Sequence, residues 1–387
     1  MNLHFALGAA YFVYYGALGV FLPYWARYLL EQGFLSFEVG LIIGAIGLAR
    51  MTAPNFWAYW AERSRKRYLI IRWAAVFTLA FFIFMTQVSS FAGMLLLTAL
   101  FSFSWNAIMP QIEVICLRET DNDSHSYARI RLWGSVGFIT MVFLGGALID
   151  NRSIHSVPGL LASLFFAQVI ILCLLTSAQN WHNQQGRPLS FGQLLTLALK
   201  PHFLLFFLIY LLLQISHAPY YTFFDSYLNL LGYSTTATGA LIGLGVIAEI
   251  ILFWHVGKLL SQAKLSFCLF VALLITAARW FALAYYADAL WILILSQCCH
   301  AASFGLTHAV AVKWLYSRFP EGAKSQGQAF YASITWGIGG ALGNMLSGLT
   351  WQNNAGAGEI YLWSFWLCLI AAALSLLWPR YDRPMTS

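Results

Sequence analysis

The chain has 387 residues, of which 60% are hydrophobic and only 9% charged, with a mean hydropathy of +0.70; soluble domains carry about 25% charged residues. That balance excludes an ordinary soluble protein. The net charge of +7 does not imply a nucleic-acid partner, because membrane proteins concentrate Lys and Arg in their cytoplasmic loops.

Twelve apolar runs cover residues 5–30, 37–61, 69–88, 91–117, 129–150, 158–176, 203–230, 236–259, 265–286, 290–316, 327–350 and 358–378. Each is long enough to cross about 30 Å of hydrocarbon as a helix. The runs are continuous rather than alternating, which excludes spanning strands, and lipid leaves an unpaired backbone no alternative to the helix. The first run, within MNLHFALGAAYFVYY, lacks a basic flank and a cleavage site, so it reads as a span and not a signal peptide.

The longest connection, Ser177 to Lys200, divides the chain into an N-terminal six-helix bundle (1–176), a cytoplasmic linker (177–200) and a C-terminal six-helix bundle (201–387). Of the 21 Lys and Arg residues, all but Arg27, Arg50, Arg152 and Arg279 lie in or beside the even-numbered loops and the C-terminal tail. This places that face and both termini in the cytoplasm.

The two halves repeat. A shift of 199 residues lays Gly33, Gly40 and Gly44 on Gly232, Gly239 and Gly243, and Arg50 on Glu249. An ionisable group in the middle of a span is costly enough to mark function. Matching positions in two repeats point to a substrate path at a pseudo-twofold interface, as in alternating-access transporters.

The six cysteines, Cys116, Cys173, Cys268, Cys298, Cys299 and Cys368, show no metal-ligand spacing and read as small buried hydrophobes. Trp25, Trp60, Trp181, Trp291, Trp351 and Trp378 fall near the predicted membrane interfaces, where tryptophan collects. The sequence holds no nucleotide-binding glycine loop, metal cluster or hydrolase elbow. No cofactor or metal is expected, and ATP-driven transport is disfavoured.

The stretch AYWAERSRKR (58–67) resembles the loop between helices two and three of the major facilitator superfamily. It departs from that pattern with Ala58 for the usual Gly, Glu62 for Asp and Arg65 for the second Gly. The resemblance implies that Glu62, Arg63, Lys66 and Arg67 help to hold an inner gate. A sharper likeness runs through YFVYYGALGVFLPYW (11–25), Glu113 with Arg131 in YARIRLWGSVG, SHAPYY (216–221), GVIAEIILF (245–253) with Arg279, and HAASFGLTH (300–308). These motifs resemble the phenylpropionate permease group of that superfamily, related more distantly to lactose and nucleoside proton symporters. The resemblance implies an all-α membrane protein, a monomer in the bacterial inner membrane, importing phenylpropionate or a related aromatic carboxylate with protons.

Site assignments follow on two footings. By resemblance, Glu113 and Arg131 engage substrate; from the residues alone, they equally read as an ion pair pinning helices four and five. Glu249 is either the proton carrier or half of a salt bridge with Arg279 or Arg50. His300 and His308 on helix ten, and His217 beside Tyr220 and Tyr221 on helix seven, suit a proton relay or a carboxylate contact, and each also reads as a packed residue. In the lactose relatives a carboxylate follows the helix-ten histidine by three residues; here Ser303 stands there, which shifts the weight to Glu249. Tyr11, Tyr14, Tyr15, Tyr220 and Tyr221 with Arg50, Arg131 and Arg279 would suit an aromatic monocarboxylate, ring stacked and charge paired. Tyrosine walls also suit sugars and nucleosides, so a different cargo, or drug export, stays open. A membrane enzyme acting on lipid would need a nucleophile or metal constellation that the sequence lacks.

Overall fold

The computed structural model describes residues 3–64, 66–121, 123–175, 191–320 and 323–378. Arg65, most of the linker with Trp181, and the tail with Arg380 and Arg383 lie outside them. Among the described residues the regular elements are all helical. In chain order they are α1 (Leu3–Glu31), α2 (Ser36–Ser64), α3 (Arg67–Met85), α4 (Phe91–Glu119), α5 (Ser124–Asn151), α6 (Val157–Leu174) and α7 (Phe191–Ala198). Then come α8 (Pro201–Leu230), α9 (Thr235–Gln262), α10 (Leu265–Tyr286), α11 (Leu290–Cys298), α12 (Thr307–Arg318), α13 (Lys324–Ala332), α14 (Gly340–Trp351) and α15 (Glu359–Ser375).

Ten helical stretches of the described chain are long and apolar enough to cross a membrane, with α11 and α12 joined in one of them. The α13–α14 stretch and α15 complete the expected twelve. Large apolar side chains such as Phe5, Leu96 and Trp254 lie on the outer surface, where lipid takes the place of water as solvent. α5 begins at Ser124, five residues before the expected start, because Asp123 caps it by accepting from the His125 and Ser126 amides.

The internal repeat is written into the helix boundaries. The 199-residue shift carries the end of α1 at Glu31 onto the end of α8 at Leu230, the start of α2 at Ser36 onto the start of α9 at Thr235, and the end of α4 at Glu119 onto the end of α12 at Arg318. Gly33 and Gly232, the two glycines that the shift superposes, have φ of 93° and 85°. Each ends its helix in the left-handed conformation that glycine adopts without a Cβ clash.

The repeat breaks at two places. π-helical segments interrupt the tenth and eleventh spans at Ala301–Leu306 and Ser333–Gly339, whereas the matching turns of α4 and α5 stay α-helical. Such π segments concentrate at functional sites, because they shift side chains around the axis and leave carbonyls partly unpaired.

By contacts the chain falls into two compact units, Met1–Trp181 with Tyr220–Gly243, and His182–Pro219 with Leu244–Ser387. This grouping differs from the sequence division at the tip of the α8–α9 hairpin, which groups with the first unit. Within the first unit α1 packs on α5 and α6, and α4 on α2 and α3; within the second α10 packs on α15. The α1–α5 seam is closed by glycine: a Cβ on Gly137 would sit 2.2 Å from the Phe12 carbonyl oxygen.

Two expectations are corrected. Trp25, Trp351 and Trp378 are fully buried and so do not form part of an exposed tryptophan belt, whereas Trp60 and Trp291 are exposed as expected. Trp25 belongs to an aromatic core with Phe21, Phe82, Phe101, Trp105 and Phe165. Cys116, Cys268 and Cys368 are buried, but Cys173 and Cys298 are exposed, on surfaces otherwise apolar enough to face lipid.

Candidate functional site

In the second unit three charged or titratable side chains from three helices meet in a chain. Arg279 of α10 donates from Nη1 to His300 Nδ1 at 2.9 Å and to the Ser303 hydroxyl at 3.0 Å, and from Nη2 to Gln297 Oε1 at 3.5 Å. His300 Nε2 lies 2.8 Å from Glu249 Oε1 of α9. A guanidinium has donors only, so Nδ1 must accept, and the imidazole then carries its proton on Nε2 and donates it to Glu249. Arg279 thereby fixes the tautomer of His300, and the charges of Glu249 and Arg279 balance across a neutral ring.

The sequence builds this meeting locally. Gly245 stands one turn before Glu249 on α9, and a Cβ there would come within 3.3 Å of His300 Cδ2. Its absence lets the ring approach α9. Arg279 is 2% exposed, and its guanidinium lies 4.6 Å over the Trp280 ring. A buried cation of this kind is tolerable only when paired.

His308 faces Glu249. Phe304, on the π-helical turn, stacks between His300 and His308 with centroid separations of 5.6 and 6.1 Å. Ser303, Thr307, His308 and Thr335 line, with His217, a cavity of about 20 Å³, enough for one water molecule. His217 Nδ1 lies 2.8 Å from the Leu213 carbonyl, and its ring meets Trp280 edge-on. The polar face of this cavity thus begins at Ser303, which also holds Arg279.

The first unit gathers a different set. Arg131 Nε lies 3.6 Å from Glu113 Oε1, with side chains 54% and 36% exposed, so this pair is partly exposed. Tyr15 lies beside Arg131. Arg50, in the middle of α2, faces Tyr14 and Tyr221, and Tyr14 packs on Trp105 at 5.4 Å. Tyr221 in turn meets Tyr220 edge-on at 5.5 Å. Among the described residues no carboxylate pairs with Arg50, unlike Arg27 and Arg131. Of the gate residues, Glu62, Arg63 and Lys66 are exposed, whereas Arg67 is buried, faces Glu62 and donates to Gln111.

Sequence reasoning missed two groups. Gln297 gave no signal, since a single amide in an apolar run looks like any polar packing residue. Asp225 was visible as a carboxylate inside a span and was overlooked because it sits near the span's end. It is 1% exposed and pairs with Arg27 at 3.3 Å.

Residues 4–363 match the model of the MFS_1 like family. Among characterised sequences the chain is similar to a probable 3-phenylpropionic acid transporter of Escherichia coli, 26% identical with 97% of each chain covered. It is also similar to a maltose permease of Geobacillus stearothermophilus, 29% identical over 95% of this chain and 92% of that one. Among solved structures it resembles the nucleoside transporter NupG (D323A mutant), with a TM-score of 0.87 at 17% identity, covering 97% of this chain and 100% of that one. A bacterial homologue of the human lysosomal transporter Spinster matches with a TM-score of 0.78 at 16% identity, covering 100% of this chain and 98% of that one.

Proposed function

Because the chain belongs to the MFS_1 like family, and is thereby a multi-pass secondary transporter of small molecules and not an enzyme, we propose that it imports an aromatic monocarboxylate of the phenylpropionate kind together with protons. The observation that carries the cargo class is Arg50. A cation in mid-span is expensive unless it is paired, and among the described residues Arg50 has tyrosines beside it but no carboxylate. A substrate carboxylate would supply the missing charge as a charge-assisted pair, and Tyr14, Trp105 and Tyr221 would meet the ring. Arg279 is a poorer rival for that role, since His300, Ser303 and Gln297 already take three of its five donors.

In this reading Glu249 carries the proton. Protonation removes the acceptor charge for the His300 Nε2–H, so the carboxyl, the ring and Arg279 must rearrange together. That couples a proton to a change in α9, α10 and the tenth span. His308, stacked in line through Phe304, and His217, across the small cavity, extend the polar path. Glu113 and Arg131, partly exposed, would meet an entering or leaving anion. Glu62, Arg63, Lys66 and Arg67 serve as the inner gate. The Lys and Arg distribution supports an inner-membrane protein with both termini in the cytoplasm, and the superfamily resemblance supports a monomer.

A sugar is the second reading, favoured by the likeness to a maltose permease. The deciding experiment is uptake of labelled phenylpropionate into proteoliposomes under an inward proton gradient, with Glu249→Gln alongside. Gradient-driven accumulation that the substitution abolishes, with exchange retained, supports cargo and coupling together. Absence of uptake by the wild type overturns the cargo and turns the search to maltose and nucleosides.

A further inference from the structure

Another buried acid, Asp225, belongs to the first unit and not to the Glu249 cluster. Arg27, near the end of α1, gives Nη1 to Asp225 Oδ2 at 3.3 Å and to the Thr235 hydroxyl at 3.2 Å, and Nε to Glu31 at 3.1 Å. Asp225 is near the end of α8 and Thr235 opens α9. From the last turn of α5, Asp150 accepts the Thr235 amide at 2.9 Å, the Thr236 amide at 2.7 Å and the Thr236 hydroxyl at 2.6 Å. The α8–α9 tip is therefore held to α1 by an ion pair and to α5 by a helix cap supplied from another span.

The cap is not needed for α9 to form. Ser234 already caps the helix from its own chain, accepting the Ala237 amide at 3.1 Å. Asp150 thus docks an end that is capped without it. The docking surfaces are bare backbone on both sides: a Cβ on Gly146 would come 2.4 Å from the Thr235 carbonyl oxygen, and one on Gly239 2.5 Å from that of Val142. The tip groups with the first unit while the rest of α8 and α9 belongs to the second, the changes falling at Pro219 and Gly243. Pro219 removes a backbone hydrogen bond from the interior of α8, a natural place for a helix to bend.

The three acids of this cluster are not equivalent. Glu31 is 43% exposed. Both oxygens of Asp150 are satisfied by three donors. Asp225 has one donor, at the long distance of 3.3 Å, and its other oxygen is buried without a partner among the described residues. A carboxylate so poorly solvated is costly as an anion. The groups facing it are Arg27, Glu31 and Tyr24 of α1 and Asp150 of α5, and the first turn of α9 adds only neutral Thr235.

We propose that Asp225 is a second proton-binding site of this protein, and that its protonation unlatches the α8–α9 tip from α1 and α5. The proton adds to the Asp225 carboxylate, whose charge goes to zero. Arg27 then keeps only Glu31 as a charged partner and is drawn toward solvent with it. On the positive-inside assignment the tip faces the outside, so the proton would come from that side. The place of this step in a transport cycle rests on the proton-coupled reading above, but the latch itself does not.

The test is hydrogen exchange of the full-length protein in detergent micelles between pH 8 and pH 5.5, without substrate or gradient. The peptide containing the Thr235 and Thr236 amides is followed, each rate normalised to the intrinsic rate at that pH. The wild type should lose protection roughly tenfold toward low pH, the usual size of a coupling between two sites. Asp225→Asn should show the low protection throughout, with no pH dependence. Asp150→Asn should lower protection at every pH and keep the dependence, and Glu249→Gln should match the wild type. Constant protection in the wild type overturns the proposal even if every variant misfolds. A wild-type pH profile retained by Asp225→Asn overturns it as well. A failure of phenylpropionate uptake leaves this measurement untouched.

Discussion

Arg279 holds His300 by its Nδ1 at 2.9 Å and so decides which nitrogen of that ring faces Glu249. The guanidinium acts on the carboxylate through an imidazole whose proton it has positioned. A charge change at Glu249 is therefore felt at Arg279 without direct contact between them.

Arg279→Gln should destabilise the protein strongly. It leaves Glu249 and His300 without the cation that balances them, and breaking a buried pair by removing one partner costs about 3–5 kcal/mol. Thermal unfolding in detergent should show a clearly lowered Tm. An unchanged Tm would mean that the chain of contacts contributes little to the folded state.

Arg50→Gln should behave in the opposite way. With no ion pair to lose among the described residues, its Tm should stay at or above the wild-type value, while affinity for an aromatic carboxylate falls on the order of 10- to 100-fold, the size of one charge-assisted contact. Substrate-induced quenching of tryptophan fluorescence measures the second quantity. Equal affinity in the variant would remove Arg50 from the binding site.

Gly137→Ala should open the α1–α5 seam. Its Cβ would fall 2.2 Å from the Phe12 carbonyl oxygen, a backbone atom that cannot swing away, and overpacking of this kind costs about 1–3 kcal/mol. Gly159→Ala is the matched control, since a Cβ there meets nothing within 4 Å. Unfolding curves for the two should diverge, with Gly159→Ala near the wild type.

Asp123 gives a pH dependence of defined sign outside the membrane. Donation from the Ser126 side chain and from the Ser126 and His125 amides holds its carboxyl below the usual carboxylate range. The stabilisation is complete above the unfolded-state value of about 3.9 and is lost as pH falls through the lower folded value. Asp123→Asn keeps the cap but cannot titrate, so its Tm should fall less steeply below about pH 4 than that of the wild type.

Much of this was legible in the sequence because lipid permits few solutions. A continuous apolar run must be a helix, a left-handed turn at Gly33 and Gly232 must be glycine or close to it, and a mid-span charge such as Glu249 or Arg50 must have a reason to be there. Those constraints act one residue at a time, and so fixed the twelve helices, the 199-residue repeat and the suspect side chains. Only the tertiary structure decided which charges meet. His300 stands between Glu249 and Arg279, where the bare backbone of Gly245 leaves room for its ring. Asp225 reaches Arg27 across 198 residues. Pairing depends on distances of a few ångströms between helices, and a sequence read along its length carries spacing around one helix axis but not the approach of one helix to the next.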